Sequence, residues 1–472
     1  MVPRELFPYE RSIREAGGVR FALVKRAGER FLHLSRAKPG FTVEPFPQGG
    51  YLGPLSLGNA RALADVFPWL RPRRLPCQPS FGFGDRLGLA TPGHVRACAG
   101  AQVFPILAQQ SVRENARTER SFEEVLACAV FGAFQEGYDG GYGADADHLK
   151  SLDDALHAAD LGYSFFTCDP SDHVVAVERL PLAKVARAFR SHPEADRWQE
   201  QFLSREYAIP GLGRIRFREE DLVCSAVKYG AAVGFAVEMY HALASRLPKG
   251  FDFEMSVDET DTPTSPMEHL FIALEFRRHD VALASLAPRF PGEMQKAVDW
   301  RGDLSAFRQE LGAHVAIARE CGPYRLSLHS GSDKPSLYPI LADEAGGLWH
   351  VKTAGTSYLV ALGVAAQFAP QLFREIVRFS VERFPEDRKS YHLSTDLDRV
   401  PDPETLPDER LPSLLAQDDS RQALHATYGS VLKSALGEEL RRVLSDHERE
   451  HDEALDIHLG RHLELLGVRS HV

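Results

Sequence analysis

Three histidines, His148, His329 and His350, lie at the ends of short strand-like runs, in GADADHLK, YRLSLHS and LWHVKTA. Neutral imidazole nitrogen and carboxylate oxygen together suit Zn²⁺, Mn²⁺, Ni²⁺ or Co²⁺, so three such rings converging in space would make a divalent-cation site. A fourth run, FDFEMSVDET, alternates: Phe251, Phe253, Met255 and Val257 share one parity, while Asp252, Glu254, Ser256 and Asp258 share the other, with Glu259 next in the chain. If the apolar parity meets a helix layer, Glu254 points inward beside the cation and is a candidate general acid or base. Lys150, Lys352 and the loop SGSDK, which carries Lys334, add cations and donors suited to a carboxylate or a polyhydroxy substrate.

Residues this far apart meet only if the fold gathers strand ends. The chain has 472 residues, about three times a common domain length of about 150. From about residue 78 it alternates short apolar runs with helical patterns. Eight strands are expected, within SFGFGDRLGLAT, AQVFPILAQ, GYGADADHL, YSFFTCD, FDFEMSV, VALASLAP, YRLSLHS and LWHVKTA. Eight β-then-α units predict an α/β fold, a closed (β/α)₈ barrel of the TIM type, whose chemistry sits where the strands' C-terminal ends open. Ser121 with Glu124 and Ser151 with Asp154 mark helix starts. The runs 221–246 and 303–320 carry apolar residues three and four apart and read as outer helices. In YRLSLHS the parity turns His329 inward, and in LWHVKTA it turns His350 and Lys352 together. In GADADHLK it separates His148 and Lys150 from Asp145 and Asp147. Outside the repeats are residues 1–77, a small β-rich cap expected at the barrel's N-terminal side, an insertion at about 170–220, and residues 385–472. The last begin in the linker VPDPETLPDERLP and end in charged helix.

Composition closes off other classes. Hydrophobic residues at 44% and charged residues at 26% exclude a disordered or coiled-coil chain, and a formal charge of −11 disfavours phosphate backbones and anionic lipid, so neither nucleic acid nor membrane is an expected partner. The longest apolar stretch, SYLVALGVAAQFAPQLF, is broken at Pro370 and is too short to span a bilayer. The first residues lack a secretory signal, and Cys77, Cys98, Cys128, Cys168, Cys224 and Cys321 form no metal or disulfide pattern, so a cytoplasmic location is expected. Near the C-terminus, His447 to His451 spell HExxH, but the flanks are nearly all polar and read as a solvated helix rather than a buried peptidase site. The glycines of GFGDRLG and GYDGGYG do not form a dinucleotide loop.

Taken in order, GADADHLKS, EMSVDETDTPTSPMEH, SLAPRFPGEMQKAVDW, LSLHSGSDKPSLYP and HVKTAGTSYL resemble the tagaturonate/fructuronate epimerase family, which includes tagatose 4-epimerases, from about residue 80 to about 430. The resemblance implies a metal-dependent barrel enzyme of hexuronate catabolism, with Asp147 as proton acceptor, His148 and His329 as metal ligands, and an acidic residue of EMSVDET as proton donor. Parity selects Glu254 for the donor, with Asp258 and Glu259 in reserve; His350 as third ligand rests on geometry. The implied substrate is a sugar acid or a ketohexose, and assembly into a homo-oligomer is left open. Tagaturonate and fructuronate differ at a carbon one removed from the ketone's α-carbon, so its hydrogen is not activated and enolisation cannot invert it. A retro-aldol route can: the hydroxyl at that carbon loses its proton, the adjacent carbon–carbon bond opens, and the aldehyde turns and re-adds. A metal-dependent aldolase or aldose–ketose isomerase on the same fold would share these residues, and a non-catalytic sugar-binding barrel would keep the pocket without the chemistry.

Overall fold

The computed structural model describes residues 5–76, 78–391 and 393–470. Its centre is a closed barrel of eight parallel strands. Six strands precede it: β1 (Phe7–Pro8), β2 (Arg14–Ala16), β3 (Val19–Arg26), β4 (Glu29–Leu34), β5 (Glu44–Pro45) and β6 (Tyr51–Gly53). The barrel strands are β7 (Ser80–Phe83), β8 (Phe104–Ser111), β9 (Gly143–Leu149), β10 (Phe165–Cys168), β13 (Asp252–Ser256), β14 (Ser285–Ala287), β15 (Arg325–Leu328) and β16 (Trp349–Thr353). Between β10 and β13, the insertion adds a hairpin of β11 (Tyr207–Ile209) and β12 (Gly213–Ile215). Every expected barrel strand is present, though several are shorter than their apolar runs, because the run's end turns into the loop over the mouth. The capping boxes of Ser121 with Glu124 and the cap of Ser151 form as the sequence predicts.

The outer face of each strand is apolar and meets the helix layer: Tyr324, Leu326 and Leu328 of the β15 segment and Phe253 and Met255 of β13 are all buried in one core. The inner face grades from apolar to charged. At the floor Phe104, Ile106 and Phe165 pack together with Leu75; above them come Asp145, Thr167, Glu254, Ser327 and His350, all but inaccessible. The helix Glu219–Arg246 is long and apolar enough to cross a bilayer, but half of its most apolar stretch is buried against the rest of the protein, and it serves as one outer helix.

The N-terminal strands form an antiparallel sheet with β3 and β4 paired around Ala27–Gly28, both at positive φ, a tight hairpin turn. Phe21, Leu23, Leu32 and Leu34 join the main core, while Ala22, Val24 and Phe46 form a separate cluster on the other face. The sheet leans on helix Phe122–Glu136, and Arg11 pairs with Glu136. The floor is crossed instead by the segment that follows: Leu75 N–H donates to Asp252 Oδ2 at 2.6 Å, and Arg325 Nε donates to Gln78 O at 2.8 Å. Cys77 lies outside the described residues; Cys98, Cys128, Cys168, Cys224 and Cys321 are free thiols.

The C-terminal helix Glu448–Leu465 is not the solvated element its charge suggested. Leu455, Leu459 and Leu463 are fully buried, and a Cβ on Gly93 of helix Thr91–Cys98 would lie 2.7 Å from Leu455. The polar residues flank a narrow leucine stripe, which decides the packing. His451 and His462 are buried with it, while His447 stands at the N-cap position without a side-chain capping hydrogen bond and stacks on Phe368 at 4.1 Å. Neither HExxH histidine belongs to a group able to hold a metal among the described residues.

Burial holds the imidazoles of His94, His314 and His451 down to a pKa of about 4. An unfolded chain protonates these rings near pH 6.5, the folded chain only near 4, so within that window the unfolded form binds more protons. Their stabilising contribution is therefore complete above about pH 6.5 and is lost as pH falls toward 4, by about 1.4 kcal/mol per pH unit for each ring. Denaturant unfolding at pH 7.5 and pH 5 is expected to show the lower stability at pH 5.

Candidate active site

The cluster at the barrel mouth depends on an irregularity in β9. Against β10, Ala146 pairs with Phe166 and Leu149 with Cys168, so β9 carries one extra residue. His148 takes up that residue with φ +53°, a left-handed conformation that a side chain rarely adopts. Strict alternation would put Asp147 and His148 on opposite faces of the sheet. The bulge turns both toward the mouth, where His148 Nε2 lies 3.9 Å from Asp147 Oδ1.

His329, at the end of β15, packs ring to ring with His148, centroids 4.9 Å apart. Its Nδ1 lies 3.3 Å from Asp258 Oδ1, and its Nε2 lies 2.6 Å from Glu254 Oε1. His148, Asp258 and His329 each offer a ligand atom within 4.8 Å of the others, the spacing a single cation can bridge. Each imidazole's remaining nitrogen faces a carboxylate: His148 Nδ1 is 3.2 Å from Asp169 Oδ2, and His329 Nε2 faces Glu254. That is the support that orients histidine ligands of metal ions. Burial opposes a charged His329 ring, but Asp258 and Glu254 outweigh it and raise its pKa to about 10.

Beneath the histidines, Lys352 of β16 binds three carboxylates. Its Nζ lies 2.7 Å from Asp145, 2.8 Å from Asp147 and 2.9 Å from Glu254, and it donates to Thr167 Oγ1 at 2.6 Å. Burial would raise the Asp147 carboxyl, but Lys352, helped by His148 and His329, holds it well below the usual range. Asp145, deeper and beside two other acids, is held above that range by burial. Gln109 Nε2 donates to the second Asp147 oxygen at 3.1 Å. Asp147 is thus an ionised carboxylate, fixed by two partners, on the wall of a recess.

Several expected residues stand elsewhere. His350 pairs in register with Ser327 and Ser80, one layer below His329; its Nδ1 is 2.9 Å from Ser80 Oγ and its Nε2 has no hydrogen-bond partner among the described residues. Asp258 joins the two histidines in its place. Glu254 is fully buried behind His329 and Lys352, where Ser285 also donates to it, so it touches the His329 ring and not the cavity. Lys334 does not face the cavity at all: its Nζ donates to the carbonyls of Gln295, Val298 and Ser332, and burial lowers its pKa to about 8. Lys150 is half-exposed and bound to Ser171 and Asp172.

Two connected spaces open above the cluster. The outer is a cavity of about 470 Å³ walled by Arg113, Asp258, Glu259, Arg289, Lys296, His329 and Tyr391. The inner recess, about 40 Å³, is walled by Arg86, Asp147, His148, Lys296, Lys352 and His425. Tyr391 and His425 come from the C-terminal extension, and Lys296 from the loop after β14. Sequence reasoning missed Arg86, Lys296 and His425, because strand parity says nothing about long loops. Asp145 carried a readable signal, its shared parity with Asp147.

The family model described as tagaturonate epimerase, UxaE, matches residues 9–466. The "Tagaturonate/fructuronate epimerase" of Thermotoga maritima is 44% identical over 465 residues, covering 97% of this chain and 96% of that protein. The native crystal structure of fructuronate-tagaturonate epimerase UxaE from Cohnella laeviribosi is 36% identical, with a TM-score of 0.94 over 99% of this chain and 97% of that one. A crystal structure of the same Cohnella laeviribosi enzyme with one glycerol is 37% identical, with a TM-score of 0.94 over 98% and 97%.

Proposed function

The chain belongs to the tagaturonate epimerase family, and from that premise we propose that it interconverts D-tagaturonate and D-fructuronate by retro-aldol cleavage and re-addition, with a divalent cation held by His148, Asp258 and His329. The observation that carries this reading is the meeting of that donor set with an ionised, doubly anchored Asp147 at one recess. The residues fit the ion: two imidazoles and one carboxylate suit Zn²⁺, Mn²⁺, Ni²⁺ or Co²⁺, and both rings are held from behind. Such an ion supplies Lewis-acid stabilisation of the negative charge that develops on the ketone side when the carbon–carbon bond opens.

Asp147, kept deprotonated by Lys352, takes the hydroxyl proton at the epimerising carbon and returns it to the alkoxide formed when the aldehyde re-adds, so that no net proton is consumed. Lys352 keeps that carboxylate in place and is itself bound too tightly by three acids to lend a proton. Glu254, expected from parity to donate on the opposite face, has no path to the substrate with His329 and Lys352 in front of it. Its part is to aim both side chains. Asp258 is a ligand in this reading, so the reserve acid on the cavity wall is Glu259, which pairs with Arg113 at 2.9 Å. The same pocket would admit tagatose and fructose, whose reacting carbons match those of the uronates.

Incubation with fructuronate is expected to yield tagaturonate on chromatography. A chelator is expected to abolish turnover and added Mn²⁺, Ni²⁺, Co²⁺ or Zn²⁺ to restore it, while His329→Ala loses bound metal. Cleavage to separate fragments as the main outcome points to an aldolase, and full turnover in metal-free protein removes the cation from the mechanism.

A further inference from the structure

A hexuronate carries a carboxylate that a ketohexose lacks, and Lys334, turned away from the cavity, does not meet it. The recess supplies one. Lys296 walls both the recess and the outer cavity, and its Nζ donates to Ser330 Oγ at 2.6 Å. Among the described residues it forms no ion pair, whereas Lys352 has three carboxylates and Arg113 has Glu259; Arg289, also without an ion pair, is bound to the Thr260 carbonyl and walls the outer cavity but not the recess. Opposite lies Arg86, 4% exposed, whose Nε and Nη2 bind Glu114 and whose plane stacks on Tyr428 at 3.6 Å. Its Nη1 is buried with no hydrogen-bond partner, an orphaned donor of the kind that structures rarely leave unmet.

The backbone at this spot is built for close approach. Gly355, at the amino end of helix Thr356–Phe368, has no room for a side chain: a Cβ would collide with His425 Nε2 and lie 3.1 Å from Arg86 Nη1. The first turn of that helix presents N–H groups without a side-chain cap, and a helix amino end favours an anion. His425 also walls the recess, and its Nδ1 lacks a partner. One ammonium without an ion pair, one orphaned guanidinium N–H and a helix amino end thus line one recess, with Asp147 and the Arg86-bound Glu114 on its remaining wall.

We propose that this recess is the carboxylate subsite, with Lys296 and Arg86 Nη1 receiving the acid group of the hexuronate, and that Lys296 is the residue that sets uronate above uncharged ketohexose. The inference rests on the epimerase reading for the identity of the substrate. In fructuronate the carboxylate lies two carbons from the epimerising centre, which matches Asp147 and Lys296 sharing one recess.

The test compares wild-type holoenzyme with Lys296→Met and Lys296→Arg, by steady-state turnover of fructuronate and by calorimetric binding of fructuronate and fructose. Lys296 is half-buried and its side chain is bonded only to Ser330, while its carbonyl, unchanged by substitution, accepts from Gln422, so the variants keep the fold. Lys296→Met is expected to raise KM and Kd for fructuronate roughly 10- to 100-fold with little change in kcat, as loss of one charge-assisted hydrogen bond implies. Fructose binding stays as in wild type, and Lys296→Arg recovers most of the uronate affinity. Unchanged fructuronate binding in Lys296→Met, or an equal loss for fructose, overturns the subsite. Wild-type enzyme that binds fructuronate with this Lys296 dependence yet forms no epimer overturns the reaction and leaves the subsite standing.

Discussion

Asp147→Asn is expected to lower kcat by roughly 10²- to 10⁴-fold, the range for loss of a general base, with metal content and fold retained. Asparagine keeps the shape of the side chain and one oxygen for Lys352, but the amide cannot accept the hydroxyl proton. The amide nitrogen also meets the Gln109 donor, so a local adjustment of Gln109 accompanies the change. Steady-state epimerisation of fructuronate, with metal analysis of the same sample, checks this. A variant that keeps more than a tenth of wild-type kcat assigns the proton to another group.

The second large effect concerns stability. Lys352→Met removes the cation from among Asp145, Asp147 and Glu254, all nearly inaccessible. Breaking a buried pair by deleting one partner typically costs 3–5 kcal/mol, because the charge left behind is neither solvated nor matched. Three carboxylates share this ammonium, so a loss of about 5 kcal/mol or more is expected, together with loss of turnover as Asp147 is freed to protonate. Urea unfolding measures it. Part of the loss is expected to return at pH 5, where the orphaned acids take up protons more readily, Asp145 first because its carboxyl is already held above the usual range.

The barrel was legible because each strand announces itself by alternation: the inward set of β13, Asp252, Glu254 and Ser256, and the inward set of the β15 segment, Arg325, Ser327 and His329, stand where parity put them. Parity failed where the backbone left regular geometry. Nothing in GADADHLK signals that His148 takes a left-handed φ, so alternation alone sets Asp147 and His148 on opposite faces. Alternation also gives a side but not a depth. His350 faces inward as expected, yet β16 is staggered so that Lys352, not His350, reaches the level of His329. Loops carry no period, and so nothing in the sequence separates Lys334, which turns away from the cavity, from Lys296, which walls it. In the C-terminal helix the abundance of charge masks the spacing of Leu455, Leu459 and Leu463, three residues enough to bury one side.

The Lys352 junction also bears on how the chain assembles. Its ammonium arrives on β16, 205 positions after Asp147. Until that last strand docks, an incomplete barrel would hold three acids facing one another across a closing interior, and their repulsion disfavours any compact intermediate made of the earlier strands alone. Closure and charge neutralisation therefore coincide. The contact that fixes the Asp147 carboxylate thus also ties the eighth strand to acids carried by β9 and β13.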